Sequence, residues 1–138
     1  MKRRTALVAA AGFVAISMVA GHEIMTSSNQ LCAAPAQPTI SFAEDILPLL
    51  KWRCGSCHQS GGPGYEKSGL DLTSYEGVMK GTKFGPMVIP REPEMSNLML
   101  LLDWRVKAEI RMPHGKKKLS TCDRNAIRTW IREGARNN

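Results

Sequence analysis

From Ser41 onward, the apolar residues of this chain fall in short bursts separated by polar, Gly- and Pro-rich stretches, and no burst sustains the alternation of a strand. The first burst opens with Ser41-Phe42-Ala43-Glu44, a capping-box pattern in which a hydroxyl meets the early amides and a carboxylate reaches back. Asp45 competes as the N-cap, favoured by Pro48, because proline is best tolerated in a first helical turn. Either start leads into an apolar helix with Ile46, Leu47, Leu49, Leu50 and Trp52. Gln59 to Gly69 is Gly, Ser, Pro and charge, which reads as a loop. Leu70 and Leu72 alternate with polar neighbours, and Thr73 to Lys80 has room for one or two helical turns. Gly81 to Pro93 is a second loop, punctuated by Gly85-Pro86, Pro90 and Pro93. Ser96 is placed to cap a helix with Leu98, Leu101 and Leu102 on one side. A last helix starts at Ser120, turns Ala126, Ile127, Trp130 and Ile131 to one face, and stops at Gly134. The pattern predicts short helices joined by long loops. Tyr65, Tyr75, Trp52, Trp104 and Trp130 are expected in the core or against a bound group.

The amino terminus differs in kind. Lys2, Arg3 and Arg4 precede an uncharged, mostly apolar run from Thr5 to Gly21, the layout of a secretory signal. Cleavage after Ala36, with Ala34 at the minus-three position, fits the A-x-A rule, and cleavage after Ala34 is nearly as good. The run is shorter than the ~20 residues of a comfortable membrane span yet longer than an average signal core, so an uncleaved anchor stays open. The domain division is therefore 1–36, signal peptide or membrane anchor, and 37–138, one small folded domain of 102 residues. A chain of that size builds only a modest core, for which a covalently held cofactor can serve as the apolar centre.

The chemistry sits in Cys54-Gly55-Ser56-Cys57-His58. C-x-x-C-H reads as the attachment site of a c-type haem, each thiol adding to one vinyl group of the porphyrin and the imidazole facing the iron as proximal ligand. A zinc site would want a second close pair of ligands, and Cys122, His114 and Cys32 form none. A thioredoxin-type pair would want a βαβ setting, which the flanks lack. Haem attachment of this kind takes place outside the bacterial cytoplasm, in agreement with the export signal. Outside the motif, Cys32 and Cys122 can pair as a disulfide if residue 32 survives processing; otherwise Cys122 is a lone thiol.

The second axial ligand must come from elsewhere in the chain. Met79, Met87, Met95, Met99 and Met112 follow the leader. Met99 sits in a leucine-rich helix and reads as core packing. Met112 lies in a loop before the last helix with its backbone restrained by Pro113, which lowers the entropy lost on binding. Met79, Met87 and Met95 remain alternatives, with His114 as a further rival.

Phe42 through Ala135 resembles the cytochrome c domain common in planctomycete-type proteins, a variant of the small all-α monohaem cytochromes c. The resemblance runs from Asp45-Ile46-Leu47-Pro48-Leu49-Leu50 through the haem motif to Gly69-Leu70-Asp71-Leu72-Thr73-Ser74-Tyr75-Glu76-Gly77-Val78-Met79-Lys80-Gly81. Val88-Ile89-Pro90, Arg111-Met112-Pro113, Leu119 and Trp130-Ile131-Arg132-Glu133-Gly134-Ala135 continue it. Arg91-Glu92 stands where Gly-Asp is usual, and His114 where a second proline is common. The resemblance implies an all-α, small cytochrome c-like fold, with three to five short helices and long loops around one covalently bound haem c. It implies Cys54 and Cys57 as attachment points, His58 as proximal and Met112 as distal iron ligand.

His and Met together fill both axial positions, so the expected function is single-electron transfer between redox partners rather than catalysis. A membrane-anchored haem subunit of a larger dehydrogenase or respiratory complex is the alternative, as is a five-coordinate haem enzyme or sensor. The chain carries +7, the leader +2 of it, which leaves about +5 on the folded part and roughly +3 once two propionates ionise. That excess suits an acidic redox partner or an anionic membrane surface. Lys116-Lys117-Lys118 on its own also fits an ordinary solvated loop, and no nucleic-acid module or long basic stripe is present. The expected location is the periplasm, either soluble or tethered to the outer face of the inner membrane.

Overall fold

The computed structural model describes residues 39–138. The leader, its cleavage positions and Cys32 lie outside the described residues. Five α-helices follow in order: α1 Leu47–Cys54, α2 Pro63–Ser68, α3 Tyr75–Lys80, α4 Asn97–Leu102 and α5 Thr121–Arg132. A π-helical turn, Phe42–Ile46, runs directly into α1, and 3-10 turns occupy Pro93–Met95 and Ala108–Ile110. Among the described residues there is no strand, only an isolated antiparallel bridge between Thr82 and Gly85. No described helix is long and apolar enough to cross a membrane.

The π turn changes the expected cap. Ser41 Oγ accepts from Glu44 N–H as a capping box requires, but the carboxylate that takes the Ser41 N–H is that of Asp45, at 2.9 Å. The wider turn, with Ile46 N–H donating to Ser41 O five residues back, moves the returning carboxylate one position along the chain. Asp45 thus lies inside the helical run instead of capping it.

The stretch Gln59 to Gly69, expected as a loop, contains α2. Its signals are the asymmetric pair that brackets short helices: Pro63 in the first turn, and Gly69 in the left-handed region at φ 73° as the stop, its N–H donating to Tyr65 O. Ser96 precedes α4 as expected but makes no side-chain cap. Its fully buried hydroxyl instead accepts from Ile89 N–H at 2.9 Å and donates to Glu92 O at 2.8 Å, pinning the preceding loop. Ser120 does cap α5, accepting from Asp123 N–H at 3.0 Å.

α5 packs Ile127, Trp130 and Ile131 inward against Phe42, Ile46 and Leu50. Phe42 lies edge-on to Tyr75 at 5.1 Å and tilted against Trp130 at 5.3 Å. The two polar ends of this aromatic cluster are satisfied by main chain: Tyr75 O–H donates to Ala135 O and Trp130 Nε1 to Arg136 O. Asn138 closes the seam, its side-chain and main-chain oxygens accepting from Phe42 and Ala43 N–H. The first and last helical segments of the described residues are thereby clamped together, and α1, α2 and α4 line a cavity beside them. Trp52 is an exception to the expected core: it is 78% exposed, because it lies on the face of α1 opposite Leu50.

Candidate haem site

Cys54 ends α1 and His58 follows in the turn after it, where Cys57 N–H and His58 N–H both donate to Cys54 O. This winding turn brings both thiols and the imidazole to one wall of a cavity of ≈ 620 Å³. Leu50, Leu70, Leu72, Met87, Leu98 and Leu102 supply apolar walls. Met112, Pro113 and His114 reach the same cavity from the loop before α5. Of the methionine candidates, Met87 and Met112 line it. Met79 packs against the core without lining the cavity, Met95 is 65% exposed, and Met99 is fully buried in the core.

Burial pushes the Cys54 thiol up to about 11, opposed by the positive fields of Arg53 and Lys116, so at neutral pH it is protonated. His58 is held below the ordinary imidazole value, first by desolvation, with the nearby Leu70 backbone pulling the other way. A neutral ring is the form that binds iron.

Three observations fit a bound porphyrin. The cavity is large and apolar-walled. His58 Nδ1 is buried with no hydrogen-bond partner, a buried polar atom that the chain itself leaves unsatisfied. Gly64 lies directly against the ring: a Cβ there would come within 2.8 Å of His58 Cε1 and 2.9 Å of Nε2, so a glycine lets α2 close over the imidazole.

A family model described as Planctomycete cytochrome C matches residues 54–114, the segment from the first thiol to the end of the methionine loop. The chain contains a planctomycete-type cytochrome c domain. Haem c, covalently bound and carrying iron, is its cofactor, and the family points to a haem-binding, electron-transfer role. No curated protein and no solved structure matches the chain.

Several residues of the cytochrome cavity escaped the sequence reading. Phe84 and Ile110 line it while remaining 81% and 52% exposed, a hydrophobic rim whose only sequence signal is an isolated apolar residue in a polar loop. Arg53, Lys67 and Lys116 line it too, and none is in an ion pair among the described residues. Trp104 does not line the cavity but donates its indole N–H to Met112 O at 2.9 Å. The Arg111 guanidinium lies over the Trp104 ring, 5.4 Å from its centroid. Cys122 is an exposed free thiol in the first turn of α5.

Proposed function

We propose that this protein is an exported monohaem cytochrome that carries single electrons between redox partners through an iron held by His58 and Met112, with Cys54 and Cys57 as the covalent attachment points. The observation that carries the proposal is the convergence on one apolar cavity of the attachment turn, Cys54, Cys57 and His58, and of Met112 from a loop far along the chain. A bound haem c supplies the one-electron couple. The chain's part would be to hold the iron with His58 and Met112, to exclude water with its leucine walls, and to leave one edge of the group accessible. Methionine as the distal ligand raises the potential relative to a second histidine.

The partners would be acidic proteins docking over the cavity mouth. A second hollow of ≈ 320 Å³, lined by Trp52, Arg53, Pro113, Lys116 and Lys117, shares three residues with the haem cavity. An acidic surface seated there would lie at the cofactor's edge, and the unpaired cations would steer its approach. Electron transfer to an acidic partner should then slow steeply as ionic strength rises.

The test begins with attachment. Cys54→Ala with Cys57→Ala should leave no haem on the polypeptide in a denaturing gel stained for haem. Met112→Ala should lower the reduction potential, on the order of 0.1 V or more within the ~0.8 V range that axial ligands span. An unchanged potential in Met112→Ala beside a lowered one in Met87→Ala would move the distal role to Met87. For the leader, amino-terminal sequencing of the haem-loaded protein should find a start near Ala33 to Gln37. A retained Met1 with haem in the membrane pellet would replace the free carrier with a tethered subunit.

A further inference from the structure

Trp104 stands just beyond α4 with φ 63°, a left-handed conformation that bulky aromatic residues rarely adopt. Such backbone persists where surrounding contacts demand it. Here those contacts converge on one residue. Met112 N–H donates to Leu101 O at 3.3 Å, the Trp104 N–H reaches the same carbonyl at 3.3 Å, and the Trp104 indole N–H takes Met112 O at 2.9 Å. The end of α4 therefore grips the Met112 peptide at both its donor and its acceptor.

The grip is itself braced. The Arg111 guanidinium and the Lys118 ammonium lie 5.4 and 5.7 Å from the Trp104 ring centroid, within cation–π range. Lys118 Nζ also donates to Asp103 O at 2.6 Å, and the Asp103 carboxylate holds Arg124 and Arg128 of α5. Contacts run unbroken from α5 through Asp103 and Trp104 to Met112.

We propose that Trp104 is the positioning residue for the distal ligand: by holding the Met112 carbonyl it fixes the loop from which the thioether reaches the cavity. The proposal rests on Met112 as distal ligand. Trp104 itself contributes no atom to the cavity lining, so its influence on the iron passes through Met112. A ligand on an ordered backbone loses less entropy when it coordinates, so loss of the clasp favours competing ligands.

The experiment uses the full, haem-loaded chain and measures imidazole binding to the ferric form. Trp104→Phe keeps an aromatic ring and removes only the indole N–H donor. It should raise imidazole affinity by about threefold to tenfold, the range of one hydrogen bond's net effect. Trp130→Phe is the matched control, since its indole also donates to a main-chain carbonyl at 2.9 Å, that of Arg136. It should leave imidazole affinity unchanged even if the protein melts earlier. In a Met112→Ala background, Trp104→Phe should add nothing further. An equal rise in the Trp104 and Trp130 variants, no rise with Trp104→Phe, or a persisting increment without Met112 would each overturn the proposal. If Met112→Ala alone leaves imidazole affinity at the parent value, the ligand assignment fails and takes the proposal with it. Should Trp104→Phe not accumulate with haem, the unmodified protein decides. Saturating imidazole should speed hydrogen exchange at the Trp104 indole while that of Trp130 stays slow, and unchanged Trp104 exchange would refute the clasp.

Discussion

The α4–α5 face and the cavity wall handle the same chemical groups in opposite ways. On the first, Asp103, with its side chain only 8% exposed, holds Arg124 at 2.5 Å and also Arg128, while Glu94 holds Arg128 and Arg105. Arg105, Arg124 and Arg128 each have a carboxylate there. On the second, Arg53, Lys67 and Lys116 have no carboxylate partner and His58 Nδ1 no hydrogen bond among the described residues, and Phe84 and Ile110 are bared to solvent. The first region satisfies its own groups and therefore acts as scaffold. The second leaves charge and apolar surface unpaired at the cavity rim and an imidazole facing the cavity, the combination suited to a porphyrin and a docking protein. Unsatisfied groups are costly in a marginally stable domain, so where they cluster they mark function more reliably than where they are neutralised.

Substitutions in the two regions should consequently fail differently. Gly64→Ala should have the largest effect, because its Cβ would press the His58 ring, which the adjacent attachment turn gives little room to move. The yield of haem-loaded protein should collapse, read as the ratio of Soret to protein absorbance; a normal ratio would remove Gly64 from the site. Asp103→Asn should cost about 2–3 kcal/mol in denaturant unfolding, since it strips two partly buried guanidinium groups of their counter-charge. Its reduction potential should stay near that of the parent, unlike that of Met112→Ala.

A third measurement concerns thiol chemistry in the haem-free chain. The Cys54 thiol, pushed up from 9.0 to about 11, should alkylate about a hundredfold more slowly than an unburied thiol at pH 8, with exposed Cys122 reacting first. The Cys54 rate should climb as pH rises toward 11, because only the thiolate attacks. Equal rates at Cys54 and Cys122 would show that the attachment wall does not form without haem. The smallest effect belongs to Glu94→Gln. Glu94 is held below the usual carboxylate range, first by its hydrogen bond with Arg128, so its pairs weaken as pH falls through that lowered value and are complete above the ordinary one. With its side chain 54% exposed, it should matter less than Asp103 in the same denaturation assay, and still less at high salt.

Legibility in the sequence followed the range of the forces involved. Ser120 with Asp123, and the apolar face of Ile127, Trp130 and Ile131, identify α5 because capping and periodicity act within a few residues. The attachment turn is legible for the same reason, its five residues carrying both thiols and the imidazole. Where a local signal was weak, it was missed: Pro63 and Gly69 bracket α2, but its six residues contain no buried one from which to read a period. Ser96 carried the right residue type for a cap, yet a more distant loop claimed its hydroxyl.

The amino-acid sequence by itself determined the cofactor chemistry, the helical class and the ends of the longest helix, since each depends on covalent neighbours or on one turn of backbone. Tertiary structure alone decided which methionines line the cavity, that Trp52 faces solvent, that Asp103 gathers two arginines, and that Trp104 clasps Met112. Those outcomes depend on segments between 8 and about 60 residues apart meeting in space, and side-chain type does not encode which segments meet. Met87 and Met112, 25 positions apart in the chain, share one wall-lining role because α4 folds between them, a relation that no local spacing expresses.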